Sequence, residues 1–351
     1  MKRYSEIEEL VLLSHEVRRR MFKTVLEAGS GHLGGSSSSV ELMVGLYFGG
    51  ILKYDPANPR HPGRDRVLVR GHLGPLRYSL FSLLGWIDED ELSTYRSFGS
   101  RLHGHESMED VPGVDITPSG MLGMGLSFGV GSAIALKTQG VPATIYVFLG
   151  DGEEQEGNVS EAARHASNMK LTNLVCIIDR NGKQLSQPTT DVDGGTDLAT
   201  VWRGYGWSVR EIKNGHSLSE VLSALQAPRA TNGPMLLIAQ TIKGKGLNGT
   251  ETHPSGYHTI STCPKEYVAQ AMASEEVSLQ EVTSQDLQAI LSNRIAQVPR
   301  PADAHTHDAS LRLEFAVDSS DDLEEELASY LARFTSLLKS NSSVRFYPAT
   351  A

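Results

Sequence analysis

Apolar residues along this chain follow two alternating periods. Short runs of β-branched and aliphatic residues at 144–149, 174–178 and 235–239 are long enough for buried strands and too short for helices. Shorter runs at Arg66–Val69 and 209–212 read the same way. Between them lie stretches with helical spacing. Ile7, Leu10, Val11, Val17, Met21 and Val25 follow Ser5, a residue suited to cap a helix over 5–28. Further helices are predicted over Val40–Phe48, 78–84, 126–138, 153–169, 200–207, 218–225 and Ser284–Ala296. Strands alternating with helices imply an α/β fold: a doubly wound, mainly parallel sheet with helices on both faces. A linker at 299–310 precedes a clean alternation over 311–317. Asp321 then opens a capping-box helix with a stripe of Leu323, Leu327, Leu331, Phe334 and Leu338. The expected division is a main domain over 1–275 and a C-terminal extension over 276–351 that ends in a small βα appendage.

The unit from 144 to 185 concentrates the chemistry. Gly150-Asp151-Gly152 is a tight turn between the first buried strand and a helix, and Asn181-Gly182 closes the second strand. A right-handed crossover between parallel strands puts Asp151 and Asn181 at neighbouring carboxyl ends, the edge where open α/β sheets bind ligands. A carboxylate and an amide oxygen are hard ligands, suited to magnesium or calcium that also takes phosphate oxygens. The helix start beyond Gly152 offers backbone N–H groups to a phosphate. Together they point to a metal-bridged diphosphate; a plain strand-to-helix turn is the alternative. Glu153, Glu154 and Glu156 suit a first helical turn through the macrodipole alone.

Composition narrows the class. A chain of 351 residues can bury a large core. The formal charge of −10 argues against a nucleic-acid footprint. Cys176 and Cys263 lack metal-ligand spacing, and no apolar run approaches the length of a membrane span. With no secretory segment at its start, the chain is expected to be cytoplasmic and off the membrane.

Histidines recur in loops. His32 lies in a Gly/Ser loop, His72 follows a strand end, and His103 and His105 share the loop 99–125. His258 and His253 follow the last strand. His305 and His307 sit in the linker, as metal ligands or as a solvated stretch.

The wording GDGEEQEGNVSEA, then LVCIIDRNG, resembles transketolases and their thiamine-diphosphate motif. The segments around His32 (SGHLGGS), His72 (RGHLGP), His105 (GHE) and 114–125 (VDITPSGMLGMG), and the phrase TIKGKG before His258, are similar to transketolase N-terminal halves. Arg70 stands where that family often has lysine, Met124 replaces a polar residue, Thr259 replaces glycine, and one extra residue sits near Pro118. The resemblance covers roughly residues 5 to 265 and implies the thiamine-diphosphate-binding fold.

It also implies a site. Asp151, Asn181 and the carbonyl of Lys183 would hold magnesium, or calcium, against thiamine diphosphate. His72 and His258 would neutralise diphosphate oxygens, while His32 and His105 would contact substrate oxygens and assist proton transfer. Gly150 and Gly152 would border the diphosphate, Gly120 and Leu122 the aminopyrimidine, and Leu185 the thiazolium; Glu156 would lie at an interface between chains near the cofactor. The implied reaction moves a two-carbon ketol unit from a ketose, sugar or sugar phosphate, to an aldehyde. Nothing in the chain resembles the pyrimidine-binding domain of full transketolases. A separately encoded pyrimidine-binding subunit is therefore expected, in a heterotetramer of two plus two chains. Three rivals stand beside this: a subunit for 2-oxo acid decarboxylation or acyl transfer, a non-catalytic assembly subunit retaining the cleft, and a nicotinamide-dependent dehydrogenase. The last lacks the glycine-rich turn that such enzymes need.

Overall fold

A computed structural model describes residues 4–116, 120–227 and 232–302. In chain order these form α1 (Glu6–Ala28), α2 (Gly34–Ser38), α3 (Val40–Phe48), β1 (Arg66–Val69), α4 (Gly74–Leu83), α5 (Gly125–Thr138) and β2 (Ile145–Gly150). Next come α6 (Asp151–Glu154), α7 (Gly157–Asn168), β3 (Leu174–Arg180), α8 (Thr189–Asp193), α9 (Leu198–Gly204) and β4 (Ser208–Ile212). The described part ends with α10 (Leu218–Gln226), β5 (Met235–Gln240), α11 (Lys265–Leu279) and α12 (Ser284–Ala296). The five strands order as β1-β2-β3-β5-β4, every neighbouring pair parallel. The expected strand over 311–317 and the helix from Asp321 lie outside the described residues.

Both faces of the sheet are covered, which is why its central strands read as unbroken apolar runs. Tyr146, Phe148, Val175, Ile177, Met235 and Leu237 face one core with α1, α3, α4, α10 and α11. Ile145, Val147, Leu149, Cys176, Ile178, Leu236 and Ile238 face a second core with α5, α7 and α9. This is the doubly wound arrangement expected from the pattern. The Ser5 capping box is present: Glu8 N–H donates to Ser5 Oγ at 3.4 Å and Ser5 N–H to Glu8 Oε2 at 2.7 Å. The boundary expected at residue 275 falls inside α11, and both α11 and α12 pack on α1.

Two elements differ from the pattern. The single helix expected over 153–169 is two, because the backbone leaves helical geometry at Glu156 (φ −68°, ψ 137°), which becomes the N-cap of α7. The Gly/Ser stretch after His32, expected as loop, is the short helix α2. Four serines in a row are fully buried there, Ser36 to Ser39. Tertiary hydrogen bonds compensate for poor helix propensity. Ser36 Oγ donates to the His72 carbonyl at 2.8 Å, Ser37 Oγ to the Lys245 carbonyl, and Ser38 and Ser39 Oγ to Asp179 Oδ2 at 2.7 and 2.9 Å. α2 thus ties three loops together at the carboxyl edge of the sheet.

Candidate active site

At that edge a cavity of about 330 Å³ opens above β1, β2 and β3. The β2–β3 register sets its floor: Gly150 pairs with Asp179, so Asp151 and Asn181 follow on adjoining strands. Asp151 is 4 % exposed. Its Oδ2 accepts the Asn181 N–H at 2.8 Å and the Gly182 N–H at 3.0 Å, whereas Oδ1 is buried with no hydrogen-bond partner. Burial, with Asp179 nearby, pushes its carboxyl up to about 6. An unpartnered, buried carboxylate oxygen at a strand tip fits a hard cation. Asn181 Oδ1 accepts the Lys183 N–H at 3.2 Å, and its Nδ2 donates to Asp179 Oδ2 at 3.2 Å, which fixes the amide.

Asp179 anchors the floor from below. Fully buried, it accepts from Arg70 Nη2 at 2.5 Å, from Ser38, Ser39 and Asn181, and from Thr241 Oγ1. Burial raises its pKa, yet Arg70 and the hydroxyl donors outweigh that and hold it below the usual carboxylate range. Arg70 also donates to the Leu149 carbonyl at 2.8 Å. Beside this pair, Lys243 reaches across the cavity and donates Nζ to the Gln184 carbonyl at 2.7 Å and the Lys183 carbonyl at 3.3 Å. Burial and Arg70 lower its ammonium pKa to about 8. The Lys183 side chain points elsewhere, donating to the carbonyls of Thr250, Glu251 and His253 at 2.6, 2.8 and 2.7 Å.

Four imidazoles crowd the other side. His32 lies 4.4 Å from His72, 5.3 Å from His105 and 5.4 Å from His258, ring centre to ring centre; His72 and His258 are 4.8 Å apart. Backbone pairing aligns two of their loops, with Leu33 N–H donating to the His258 carbonyl at 3.0 Å and Ile260 N–H to the Gly31 carbonyl at 3.1 Å. Gly71 lets the His105 ring lie on the backbone, since a Cβ there would stand 2.6 Å from His105 Cγ. Burial and the neighbouring histidines lower His32 to about 3 and His72 to about 2, while burial with Lys243 and Arg70 lowers His258 to about 4. All three are neutral near pH 7, able to accept or donate a hydrogen bond at each ring according to tautomer.

Eleven of the expected residues line the cavity: His32, His72, Leu122, Gly150, Asp151, Gly152, Glu156, Asn181, Lys183, Leu185 and His258. His105 and Gly120 do not line it. His105 stacks on His32 behind the wall, and a Cβ at Gly120 would stand 2.7 Å from His105 Nδ1. The structure separates paired candidates: His103 is exposed and bonded to Asp110 at 3.1 Å, and His253 packs on Tyr257. His305 and His307 lie outside the described residues. The pattern of the sequence does not single out Lys243, Glu153 and Gln184 as lining residues, nor Arg96, whose Nη1 donates to Ser30 Oγ at 2.6 Å. Burial pushes Glu153 up to about 7, and its Oε1 accepts the Gly123 N–H at 3.2 Å. Only tertiary placement distinguishes these from surface charges.

Residues 12–259 match the family model described as transketolase, thiamine diphosphate binding domain. The chain is 38% identical over 249 residues to a 6-deoxy-6-sulfo-D-fructose transketolase subunit of Clostridium sp., covering 70% of this chain and 90% of that protein. It is 36% identical over 274 residues to an apulose-4-phosphate transketolase subunit of Phocaeicola vulgatus, covering 78% and 96%. Among solved structures, the transketolase of Leishmania mexicana superposes with a TM-score of 0.73 at 26% identity, over 84% of this chain and 45% of that one.

Proposed function

The chain belongs to the family of transketolase thiamine-diphosphate-binding domains, as the diphosphate-binding part of a split transketolase, and from that premise we propose how its residues divide the work. Asp151, Asn181 and the Lys183 carbonyl would hold a magnesium ion, calcium being an alternative of the same hardness. Lys243, His72 and His258 line the same cavity and would surround the diphosphate. When bound, thiamine diphosphate supplies the carbanion-stabilising centre through which a two-carbon ketol unit leaves a ketose and joins an aldehyde. The protein's part is to orient and to move protons. His32, backed by His105, meets substrate hydroxyl and carbonyl oxygens; as a neutral imidazole it takes a proton at one nitrogen or gives one. Arg96 stands beside Ser30 at the same end.

The site is completed by a separately encoded pyrimidine-binding subunit, in a heterotetramer of two plus two chains. Apolar side chains exposed near the cavity support this: Met121 is 59 %, Leu122 37 % and Leu185 68 % exposed. Relatives matched over nearly their whole length are named as subunits, which accords with the same reading. Those relatives act by name on a sulfonated and a phosphorylated sugar; a ketose with an anionic terminal group is the donor class proposed here. A cytoplasmic location accords with the two free, buried cysteines. Among the described residues, no helix is long and apolar enough to cross a membrane.

The observation that carries the reading is the buried, unpartnered Asp151 Oδ1 beside Asn181 in a cavity walled by neutral imidazoles. Reconstitution with the pyrimidine-binding partner, screened against ketose phosphates, sulfonated ketoses and 2-oxo acids, tests it. Ketol transfer dependent on thiamine diphosphate is expected; turnover of 2-oxo acids alone would replace this reading with the decarboxylase one.

A further inference from the structure

Outside the cavity, a buried chain of charge and hydrogen bonds runs from α1 to the segment carrying Lys243. Arg18 Nη2 donates to Glu41 Oε1 at 2.5 Å, and Glu41 Oε2 meets His216 Nδ1 at 2.9 Å. On the far side of the ring, the Ile242 N–H donates to His216 Nε2 at 2.9 Å. A nitrogen that accepts an N–H carries the lone pair, so the ring proton sits on Nδ1 and is donated to Glu41. The side chains of Arg18, Glu41 and His216 are each 9 % exposed or less.

The backbone is built around this contact. Gly215 N–H donates to the Gln240 carbonyl at 2.7 Å, and a Cβ at Gly215 would stand 2.5 Å from Thr241 Cγ2. Only glycine lets the turn 214–216 approach the end of β5 so closely. Thr241 is pinned to Asp179 and to the Arg180 carbonyl, and Ile242 to His216; the next residue is Lys243. None of these contacts involves a group that lines the cavity other than Lys243 itself.

We propose that His216, aimed by Glu41, is a positioning residue: it holds the Ile242 amide so that Lys243 projects over the metal and diphosphate floor. This rests on the thiamine-diphosphate reading above and adds to it a residue far from the chemistry whose ring tautomer sets where a cavity cation sits. A leucine removes both hydrogen bonds. A glutamine retains an acceptor for Ile242 and a donor for Glu41.

Hydrogen–deuterium exchange of the full chain without ligand, and calorimetric titration of the chain, reconstituted with its pyrimidine-binding partner, with magnesium thiamine diphosphate, test this on His216→Leu, His216→Gln, Lys243→Met and the His216→Leu/Lys243→Met double variant. In His216→Leu the segment 241–246 should exchange faster and the cofactor Kd should rise roughly tenfold, the ratio expected for one well-made hydrogen bond. His216→Gln should restore both to within about twofold, and the leucine substitution should have little further effect on Kd in the Lys243→Met background. Unchanged exchange, or faster exchange with unchanged Kd, would overturn the proposal, as would full additivity in the double variant. If His216→Leu fails to fold, His216→Gln and a His216→Phe pair, compared by the same two measurements, decide it. A parent chain that bound no thiamine diphosphate even when reconstituted with its pyrimidine-binding partner would instead refute the cofactor reading, and this proposal with it, whatever the exchange of 241–246.

Discussion

Replacing Asp151 by asparagine separates the cost of the site from its use. The carboxylate is 4 % exposed, one oxygen lacks any partner, and the pKa rises from 3.8 to about 6. At one pKa unit per about 1.4 kcal/mol, ionising it in the folded state costs about 3 kcal/mol relative to the unfolded chain. The sign follows from a raised acid pKa. The folded chain binds the extra proton between 3.8 and about 6, so this group's stabilising share is present at low pH and lost as pH rises through 6. Asparagine keeps an oxygen for the Asn181 and Gly182 N–H groups but buries an amide donor without an acceptor, a penalty of about 1 kcal/mol. At pH 8 the variant should therefore be more stable than the parent by about 1–2 kcal/mol, and by about nothing at pH 5. Its affinity for magnesium thiamine diphosphate should collapse. Urea unfolding at both pH values, with and without magnesium thiamine diphosphate, measures all of this. Ligand at a hundredfold excess over Kd should stabilise the parent by about 2.7 kcal/mol and leave the variant unmoved. A variant less stable than its parent at pH 8, or one still protected by the ligand, would refute the assignment of Asp151.

Three further outcomes follow from the same geometry. In the Asp151→Asn background, lowering pH from 7 to 5 should destabilise the fold by about 2 kcal/mol or more, because His32, His72 and His258 stay neutral when folded but protonate near 6.5 when unfolded; pH-dependent urea midpoints check it, and a flat profile contradicts the neutral cluster. Gly71→Ala places a methyl 2.6 Å from His105 Cγ and should push that ring, and the His32 stacked on it, out of line. With far-UV circular dichroism unchanged, kcat of the reconstituted enzyme should fall by about a hundredfold. Arg70→Met strands the buried Asp179 charge and should cost about 3–5 kcal/mol, while adding Asp179→Asn should return much of it; equal losses in single and double variants would show that the pair does not act as one.

Most of the sheet was legible because burial on both faces leaves an unbroken apolar run, and the runs at 144–149, 174–178 and 235–239 each became a strand within a residue or two. The placement of Asp151 and Asn181 at one cavity was legible for the same reason, since it needs only two neighbouring strand ends. Local pattern failed where tertiary contact overrides propensity. Ser36 to Ser39 look like a loop until Asp179, the His72 carbonyl and the Lys245 carbonyl are brought to them. Residues 153–169 carry helix formers on both sides of Gly157-Asn158, and that pair is the one local mark of the break at Glu156. Lys243 and Lys183 show the limit most clearly. Both sit in loops beside glycine, yet Lys243 enters the cavity while the ammonium of Lys183 ties down the carbonyls of 250–253. No spacing rule distinguishes two lysines whose roles are decided by which carbonyls surround them.

The charges of the floor carry the synthesis one step further. Arg70 and Asp179 satisfy each other, and the histidines are neutral. Glu153, pushed up to about 7, is turned to the Gly123 N–H; what remains at the strand tips is an acid displaced upward, Asp151, and a base displaced downward, Lys243. Each is pushed toward its uncharged form, so each is held ionised at neutral pH against its surroundings, with opposite signs and within one cavity. A lone cation would relieve Asp151 and repel Lys243; a lone anion would do the reverse. A divalent metal carrying a diphosphate relieves both together. The floor is therefore selective for the pair over either part, and magnesium and thiamine diphosphate should bind with positive coupling: each should raise the other's affinity by the same factor. Lys243→Met should weaken diphosphate binding more than metal binding, and Asp151→Asn the converse. Isothermal titrations of each component with and without the other measure that factor, and independent binding of the two would show that the displaced acid and base are structural neighbours rather than two halves of one receptor.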